Sequence, residues 1–452
     1  MAMDMELTVI MVTNLPRRQP EAALALLLCG VSATAAAAQT YGAVSAGVGV
    51  SDNLTRSTVK KNQAITTLGL QFGAREQSRR LKLDVDSDLS WLSYPGSNYG
   101  SEVVGHLSGE ASLAIVPERL NWMVRDVFGQ TRRRLYDPLT PDNRENINQF
   151  STGPRIILGL GGIANLLIAA TYTRTDQELR QLNSQSFGLD VGIQRWLSSH
   201  SVVSLHAMRE HIDLEQSSGY ADYDRDSAYL NYTLTGADTT LDLKGGASRL
   251  LLENQTLTSP LVSMQLNRRI GQRTRLFLSG GREFTNEASQ MGISDVARWA
   301  PTLDTSSQTR SVEAYRRTHA GSGLGLQGAR TTMIVDFTWS EDSFDASPTL
   351  DRRRLTARST VYRQLLPRLG LRAGGTWTND SYIGSGLGLR ELSVTAGLDL
   401  RLTRNLYADF TYDGYQTTPL AGAPGLVGNE NRVWLRLRYG ASRGLISGMT
   451  AK

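Results

Sequence analysis

The sequence predicts an all-β chain folded as a single transmembrane up-and-down antiparallel β-barrel of about 20 strands, within roughly 18 to 22. Three observations carry this expectation. Apolar and polar residues alternate along segment after segment, the junctions between segments are short and long by turns, and the N-terminus has the form of a secretory leader. The alternation is clearest from Glu391 to Thr403. Leu392, Val394, Ala396, Leu398, Leu400 and Leu402 share one phase of a two-residue period, and Glu391, Ser393, Thr395, Gly397, Asp399, Arg401 and Thr403 share the other. Successive side chains of a strand point to opposite faces, so this segment has one apolar and one polar face. A membrane barrel turns the first to lipid and lines a wet interior with the second.

Composition excludes the other architectures that 452 residues would allow. There is one cysteine, which rules out a disulfide framework, and no run reaches the ~18 apolar residues of a helical span. All but five of the 48 Lys and Arg residues are arginine. The pI is near 9.3. The basic residues are nevertheless dispersed among 43 acids, so nucleic acid is not implied.

At the N-terminus, Arg17 and Arg18 precede an apolar run from Ala22 to Val31 and a small-residue exit from Ser32 to Ala38. That order is a secretory signal, with cleavage expected after Ala38 and Met11 offering a cleaner start than Met1. Cys29 is not expected to be a lipoprotein site, because Leu28 occupies the place of a small residue. The chain therefore divides into a signal at 1–38, a barrel at 39–440 and a C-terminal tail at 441–452.

Period-two segments follow one another from Thr40 onward without a helical stretch or linker. Leu81, Leu83, Val85, Leu89 and Trp91 oppose Lys82, Asp84, Asp86, Asp88 and Ser90. Val103, Leu107, Ala111, Leu113 and Ile115 oppose Glu102, His106, Ser108, Glu110 and Ser112. Phe187 to Gln194, Leu241 to Ser248, Met333 to Ser340 and Leu369 to Thr378 repeat the pattern. Asn121 to Gln130 and His200 to Leu214 carry charges in both phases and leave their faces open.

The junctions favour a barrel over a sandwich. Short turns, such as those at Glu76–Arg79, Pro117–Arg119, Ser198–His200 and Thr403–Asn405, occupy every second junction. Longer loops, including 133–144, 215–225, 286–311, 341–352, 379–390 and 416–431, take the alternate ones. In a meander, alternate junctions lie at the same rim, and outer-membrane barrels have short periplasmic turns and long external loops. Closure should pair the first and last strands, which would otherwise be exposed edges. Trp91, Trp339, Trp377 and Tyr412 read as interface aromatics.

Reactive constellations are few. His106, His200, His206, His211 and His319 form no spaced metal set. Gly323, Gly325 and Gly328 match a dinucleotide fingerprint only formally, inside an alternating segment. Asp84, Asp86 and Asp88 resemble the start of a calcium loop, but Leu89 stands at the glycine position and Pro95 at the closing glutamate. His106 and Ser108 share a face, as a hydrolase would require of base and nucleophile. A wet lining accounts for them equally well. No cofactor, metal or catalytic residue is expected.

The expected lumen is the one candidate functional surface. Its members are Lys82, Asp84, Asp86, Asp88, Glu110, Asp190, Asp242, Lys244, Asp336, Arg354, Arg358, Arg372, Asp399, Arg401, Asp409, Asp413, Arg436 and Arg438. Acids gather early and arginines late. Separate arcs of opposite sign would set a transverse field across the pore.

Three short motifs carry a resemblance. Ser51-Asp-Asn-Leu-Thr-Arg56, Pro141-Asp-Asn-Arg-Glu-Asn-Ile-Asn-Gln-Phe-Ser-Thr-Gly-Pro154 and Asn431-Arg-Val-Trp-Leu-Arg-Leu-Arg-Tyr439 resemble the outer-membrane β-barrels associated with exopolysaccharide secretion and PEP-CTERM (exosortase) systems. The layout of the whole mature chain agrees with that family. The resemblance implies movement of a surface polysaccharide across the outer membrane of a Gram-negative bacterium. Its implied partners are outer-membrane lipid and lipopolysaccharide, the polysaccharide itself, periplasmic polysaccharide-export proteins and the outer-membrane assembly machinery. The chain departs from the usual barrel ending on an aromatic residue, because Gly440 to Lys452 follow Tyr439.

The expectation is thus a passive conduit for exopolysaccharide without chemistry of its own. The alternatives are a general porin for small solutes, and an outer-membrane enzyme or structural scaffold whose lumen is plugged, with Asn286 to Ser311 as the plug.

Overall fold

The computed structural model describes residues 39–134, 137–178, 183–215, 221–253, 255–286, 314–345, 347–420 and 428–441. The signal at 1–38, the tail from 442 and nearly all of the Asn286–Ser311 segment lie outside them.

Twenty strands form one sheet. The first seven are β1 (Gln39–Ser51), β2 (Gln63–Gln77), β3 (Leu81–Ser93), β4 (Glu102–Val116), β5 (Leu120–Arg132), β6 (Arg144–Leu160) and β7 (Ala164–Gln177). Then come β8 (Ser184–Trp196), β9 (Ser201–Leu214), β10 (Tyr223–Thr235), β11 (Thr239–Leu252), β12 (Gln255–Ile270), β13 (Thr274–Thr285) and β14 (Tyr315–Gln327). The last are β15 (Thr331–Ser343), β16 (Arg352–Leu366), β17 (Leu369–Tyr382), β18 (Gly388–Arg401), β19 (Leu406–Pro419) and β20 (Gly428–Ala441). Each strand pairs antiparallel with its successor, and β1 pairs with β20, Ser45 facing Arg438 and Ser51 facing Arg432. The sheet is therefore closed and has no edge.

Alternation decides which way each side chain points. Val48, Leu68, Leu113, Leu189, Leu205, Leu230, Val262, Leu324, Phe337, Leu371, Leu398, Phe410 and Leu435, taken from strands all round the ring, are exposed on the outer wall. A continuous apolar band of this extent has no place in water and is solvated by hydrocarbon. Trp91, Trp339 and Trp377 share the outward register, opposite Leu68, Leu355 and Leu392. Trp122 and Tyr439 stand exposed near the short-turn rim. Aromatics above and below an apolar band sit at membrane–water interfaces.

Strands of 12 to 17 residues exceed the ~9 to 11 needed to cross a bilayer. Their ends project on the long-loop side, which explains the ambiguous segment at His200–Leu214. In the outward register of β9 to β11, above the apolar band, Arg209 meets Asp224 at 2.6 Å, His211 meets Asp224 at 2.6 Å, and Arg249 meets Asp226 at 2.8 Å. Both phases are charged there because both faces are wet. One junction breaks the short/long alternation, because Leu252 pairs directly with Gln255 and the external end of β11–β12 is as tight as a periplasmic turn.

The other ambiguous segment, Asn121–Gln130, has a different cause. β4 pairs with β5 only from Leu107 and Phe128 downward, leaving the tip of the β5–β6 hairpin free of the wall on that side. Gly105 adopts φ +129, where a Cβ would lie 1.9 Å from the Asp88 carbonyl oxygen, and its N–H donates instead to the Gln130 side chain at 3.0 Å. Val127 to Arg132 and Glu145 are buried. The hairpin tip leans across the barrel mouth, so it has no lipid face and no two-residue polarity.

Candidate functional site

Every lumen candidate lies in the inward register of its strand. Asp84 meets Arg75 at 2.8 Å, Asp88 accepts from Gln71 at 2.7 Å, and Asp86 lies 3.4 Å from His106. Lys82 and Glu110 stand exposed nearer the short-turn rim. Asp190 binds His206 and Tyr229, Asp242 accepts from Thr233 at 2.8 Å, and Lys244 lies 4.7 Å above the Tyr229 ring. Asp336 faces Arg358 in register. Arg401 folds onto its own turn, donating to the carbonyls of Thr403 and Arg404 at 3.3 Å. The arginine arc also carries Asp342, Asp380, Glu391, Asp399, Asp409, Asp413 and Glu430, so its field is local rather than transverse.

Among the described residues, charged side chains, one hairpin tip and one loop gather at the outer mouth. Ion pairs between buried partners join Arg352 to Asp342 at 2.5 Å, Arg354 to Asp380, and Arg432 to Glu430, and a half-buried pair joins Arg144 to Glu102 at 2.8 Å. Arg132, at the leaning hairpin tip, pairs with Glu391 of β18 beyond the β1–β20 seam. The loop after β1 folds inward as well. Arg56 donates to Glu430 at 3.1 Å, lies 3.7 Å from Glu391, and covers the Tyr415 ring at 4.2 Å. Leu54 from the same loop packs with Ile65, Leu92, Tyr94, Val104 and Trp434. A second apolar cluster, with Ile212, Leu214, Tyr223, Leu250 and Phe284, closes the mouth over β9 to β13.

Two of the motifs behind the family resemblance meet at this mouth. Asp52 accepts from the Asn431 backbone at 2.7 Å and its side chain at 2.8 Å, and Ser51 donates to Glu430 at 2.6 Å. Burial pushes the Asp52 carboxyl up, but hydrogen bonds from Lys60 and Asn431 outweigh it and hold it below the usual carboxylate range. That staple is therefore complete at neutral pH and weakens only as pH falls through the lowered value. The third motif contributes Arg144 and the buried Asn143, whose amide donates to the carbonyls of Arg134, Asp137 and Pro138.

Below the mouth, in the periplasmic half, the inner wall of β16 to β20 has another character. Arg372 and Arg436 both donate to the Thr411 hydroxyl at 3.3 Å. Arg372 lies 3.5 Å from Asp409 and 3.9 Å from Asp399, which oppose each other across β18–β19. Arg438 lies 5.2 Å over Tyr407, and Arg436 5.9 Å from the centre of Trp434. Asp413 accepts from Thr395 at 2.7 Å and from the Trp434 indole at 3.1 Å.

Glycines let the rings lie flat along this wall. A Cβ on Gly49 would fall 2.5 Å from the Trp434 ring, and one on Gly370 would fall 2.5 Å from the Tyr362 hydroxyl. Gly49→Val should therefore lever the indole off the wall and break its bond to Asp413, costing about 1–3 kcal/mol. Near-UV circular dichroism and the urea midpoint of the refolded barrel measure this; an unchanged spectrum would contradict the packing.

Of the pair that shares a face on β4, His106 lies 3.4 Å from Asp86. A Ser–His–Asp chain exists elsewhere: His206 lies 2.9 Å from Ser204 and 2.7 Å from Asp190, stacked on Tyr229. Ser204 sits mid-ladder between β8 and β10, where strand pairing uses the surrounding backbone N–H groups. An oxyanion would meet no free backbone donor there, so the chain reads as a wall hydrogen-bond network.

No family model and no curated protein matches the chain. Among solved structures it is similar to the siderophore receptor PirA from Pseudomonas aeruginosa, at 10% identity over 89% of this chain and 80% of that one, with a TM-score of 0.41. PirA from Acinetobacter baumannii gives 9%, 89%, 80% and 0.44, and the ferric citrate transporter FecA gives 11%, 88%, 78% and 0.41. The chain is an outer-membrane β-barrel. Its closed sheet and apolar band establish that placement, and the distant likenesses extend to architecture only.

Proposed function

We propose that the barrel is a passive conduit that exports exopolysaccharide across the outer membrane and performs no reaction of its own. The observation that carries this reading is the wall of flat rings and arginines in the periplasmic half, beneath a mouth closed by ion pairs. Aromatic faces suit sugar rings, and guanidinium forks suit hydroxyls and carboxylates. The wall opens toward the side from which a secreted polymer arrives. Either cargo requires Arg56 and Arg132 to move off the mouth, and the wall of rings and arginines is what favours a sugar polymer over small solutes in general. Periplasmic export proteins would deliver the polymer to the short-turn rim, and any driving force must come from them.

A deletion strain should lose surface slime or capsule while the polymer accumulates inside the envelope, with small-solute uptake unchanged. Polysaccharide staining and solute-uptake assays on the same strain decide it. Normal slime with impaired uptake would replace the export reading by a porin.

A further inference from the structure

We propose that Arg372, Arg436 and Arg438, with Tyr362 and Tyr407, form a binding subsite for the carboxylates of an acidic polysaccharide, a polyuronate. The inference rests on the conduit reading and narrows its cargo. Depth as well as charge sets the character of this wall. The acids of this wall are short and recessed: the side chains of Asp409 and Asp399 are 6% and 14% exposed, against 26% for Arg372. What the wall presents to the lumen is arginine and ring. Among the described residues, neither Arg436 nor Arg438 has a carboxylate within 4.0 Å.

Arg372 and Arg436 reach the same Thr411 hydroxyl from different strands, although like charges repel. Asp409, 3.5 Å from Arg372 and facing Arg436 in register, offsets part of that repulsion; with Arg438 beside them a further anion would relieve the rest, and a guanidinium fork binds a carboxylate through two parallel hydrogen bonds. Arg436 and Arg438 follow one another on the same face of β20, about 7 Å apart by strand geometry. They offer a repeated anion contact along the direction of travel. Tyr362, held against Gly370, leaves the lumen clear while presenting a face for sugar rings. A neutral glucan would use the rings and gain little from the arginines. A polycation would be repelled.

The test is calorimetric binding to the purified full-length barrel in micelles at low salt, with oligogalacturonate, a malto-oligosaccharide and a sulfated oligosaccharide of equal length. Oligogalacturonate should bind at least about tenfold more tightly than the neutral sugar, and the preference should shrink as salt rises. The R436Q/R438Q double variant should lose that preference, with heat-modifiable electrophoretic mobility confirming that it is folded. Arg436→Lys with Arg438→Lys should retain only part of it, because the charge stays and the fork is lost. Equal binding of galacturonate and neutral sugar would overturn the acidic cargo but leave the conduit standing. Tighter binding of the sulfated sugar would overturn the carboxylate assignment. An undiminished preference in the folded double variant would remove the subsite, and no binding of any sugar would overturn the conduit reading as well.

Discussion

Leu398→Arg should empty the outer membrane of this barrel, while the neighbouring Asp399→Asn should leave its level unchanged. Leu398 is 41% exposed on the outer wall of β18, between Leu371 of β17 and Phe410 of β19, all in the lipid-facing register. An arginine there must be desolvated by hydrocarbon or drag water into it, at a cost of about 2–4 kcal/mol near the midplane. Each ~1.4 kcal/mol is a factor of ten in equilibrium, which is enough to divert an assembling chain to degradation. Asp399 points the other way, beside Asp409 and Arg372. Its amide removes one of two opposed carboxylates and leaves the outer face intact. Immunoblots of outer-membrane fractions compare the two variants, and equal loss of both would overturn the face assignment.

The residues of that strand show what the sequence could reveal. A two-residue period places Leu398 outside and Asp399 inside with no further information, because strand geometry is local. The same phase contains Glu391 on β18, Glu430 and Arg432 on β20, and Arg352 on β16, so these mouth residues were legible as inward-facing though the expected lumen omitted them. Arg56 and Arg132 were not legible. One lies in a loop and the other at the tip of a hairpin that leaves the wall, and their partners Glu430 and Glu391 are hundreds of residues away. Such contacts depend on how loops fold across a closed ring, which no local period encodes. The flatness of Trp434 is an intermediate case: Gly49 is visible in the sequence, but only the β1–β20 register shows that the two face each other.

Glu430→Ala should release the loop at 52–62 and open the mouth. Glu430 is fully buried and accepts from Ser51 at 2.6 Å, from Arg56 at 3.1 Å, and from Arg432 through two of its guanidinium nitrogens. Arg56 and Arg432 flank the same Tyr415 ring, at 4.2 and 5.0 Å. Without the carboxylate, two buried cations share one ring, Arg56 retaining only the longer 3.7 Å approach to Glu391. Removing one partner of a buried ion pair costs about 3–5 kcal/mol, mostly the desolvation of the charge left behind. Arg56 can escape that cost by moving with its loop once the Leu54 packing and the Asp52–Asn431 staple give way, whereas Arg432 is fixed in β20 by pairing with Ser51 and Asp413. The strain should therefore resolve by expulsion of the loop rather than by loss of the barrel. Trypsin should then cut at Arg56, Lys60 or Lys61 in folded protein, and single-channel conductance should rise above wild type. A loop still resistant to trypsin with unchanged conductance would mean that Glu430 does not hold the mouth. Glu430→Gln provides the control: it keeps the shape and can still accept from Ser51, but it loses the charge, so partial opening would apportion the effect between packing and electrostatics.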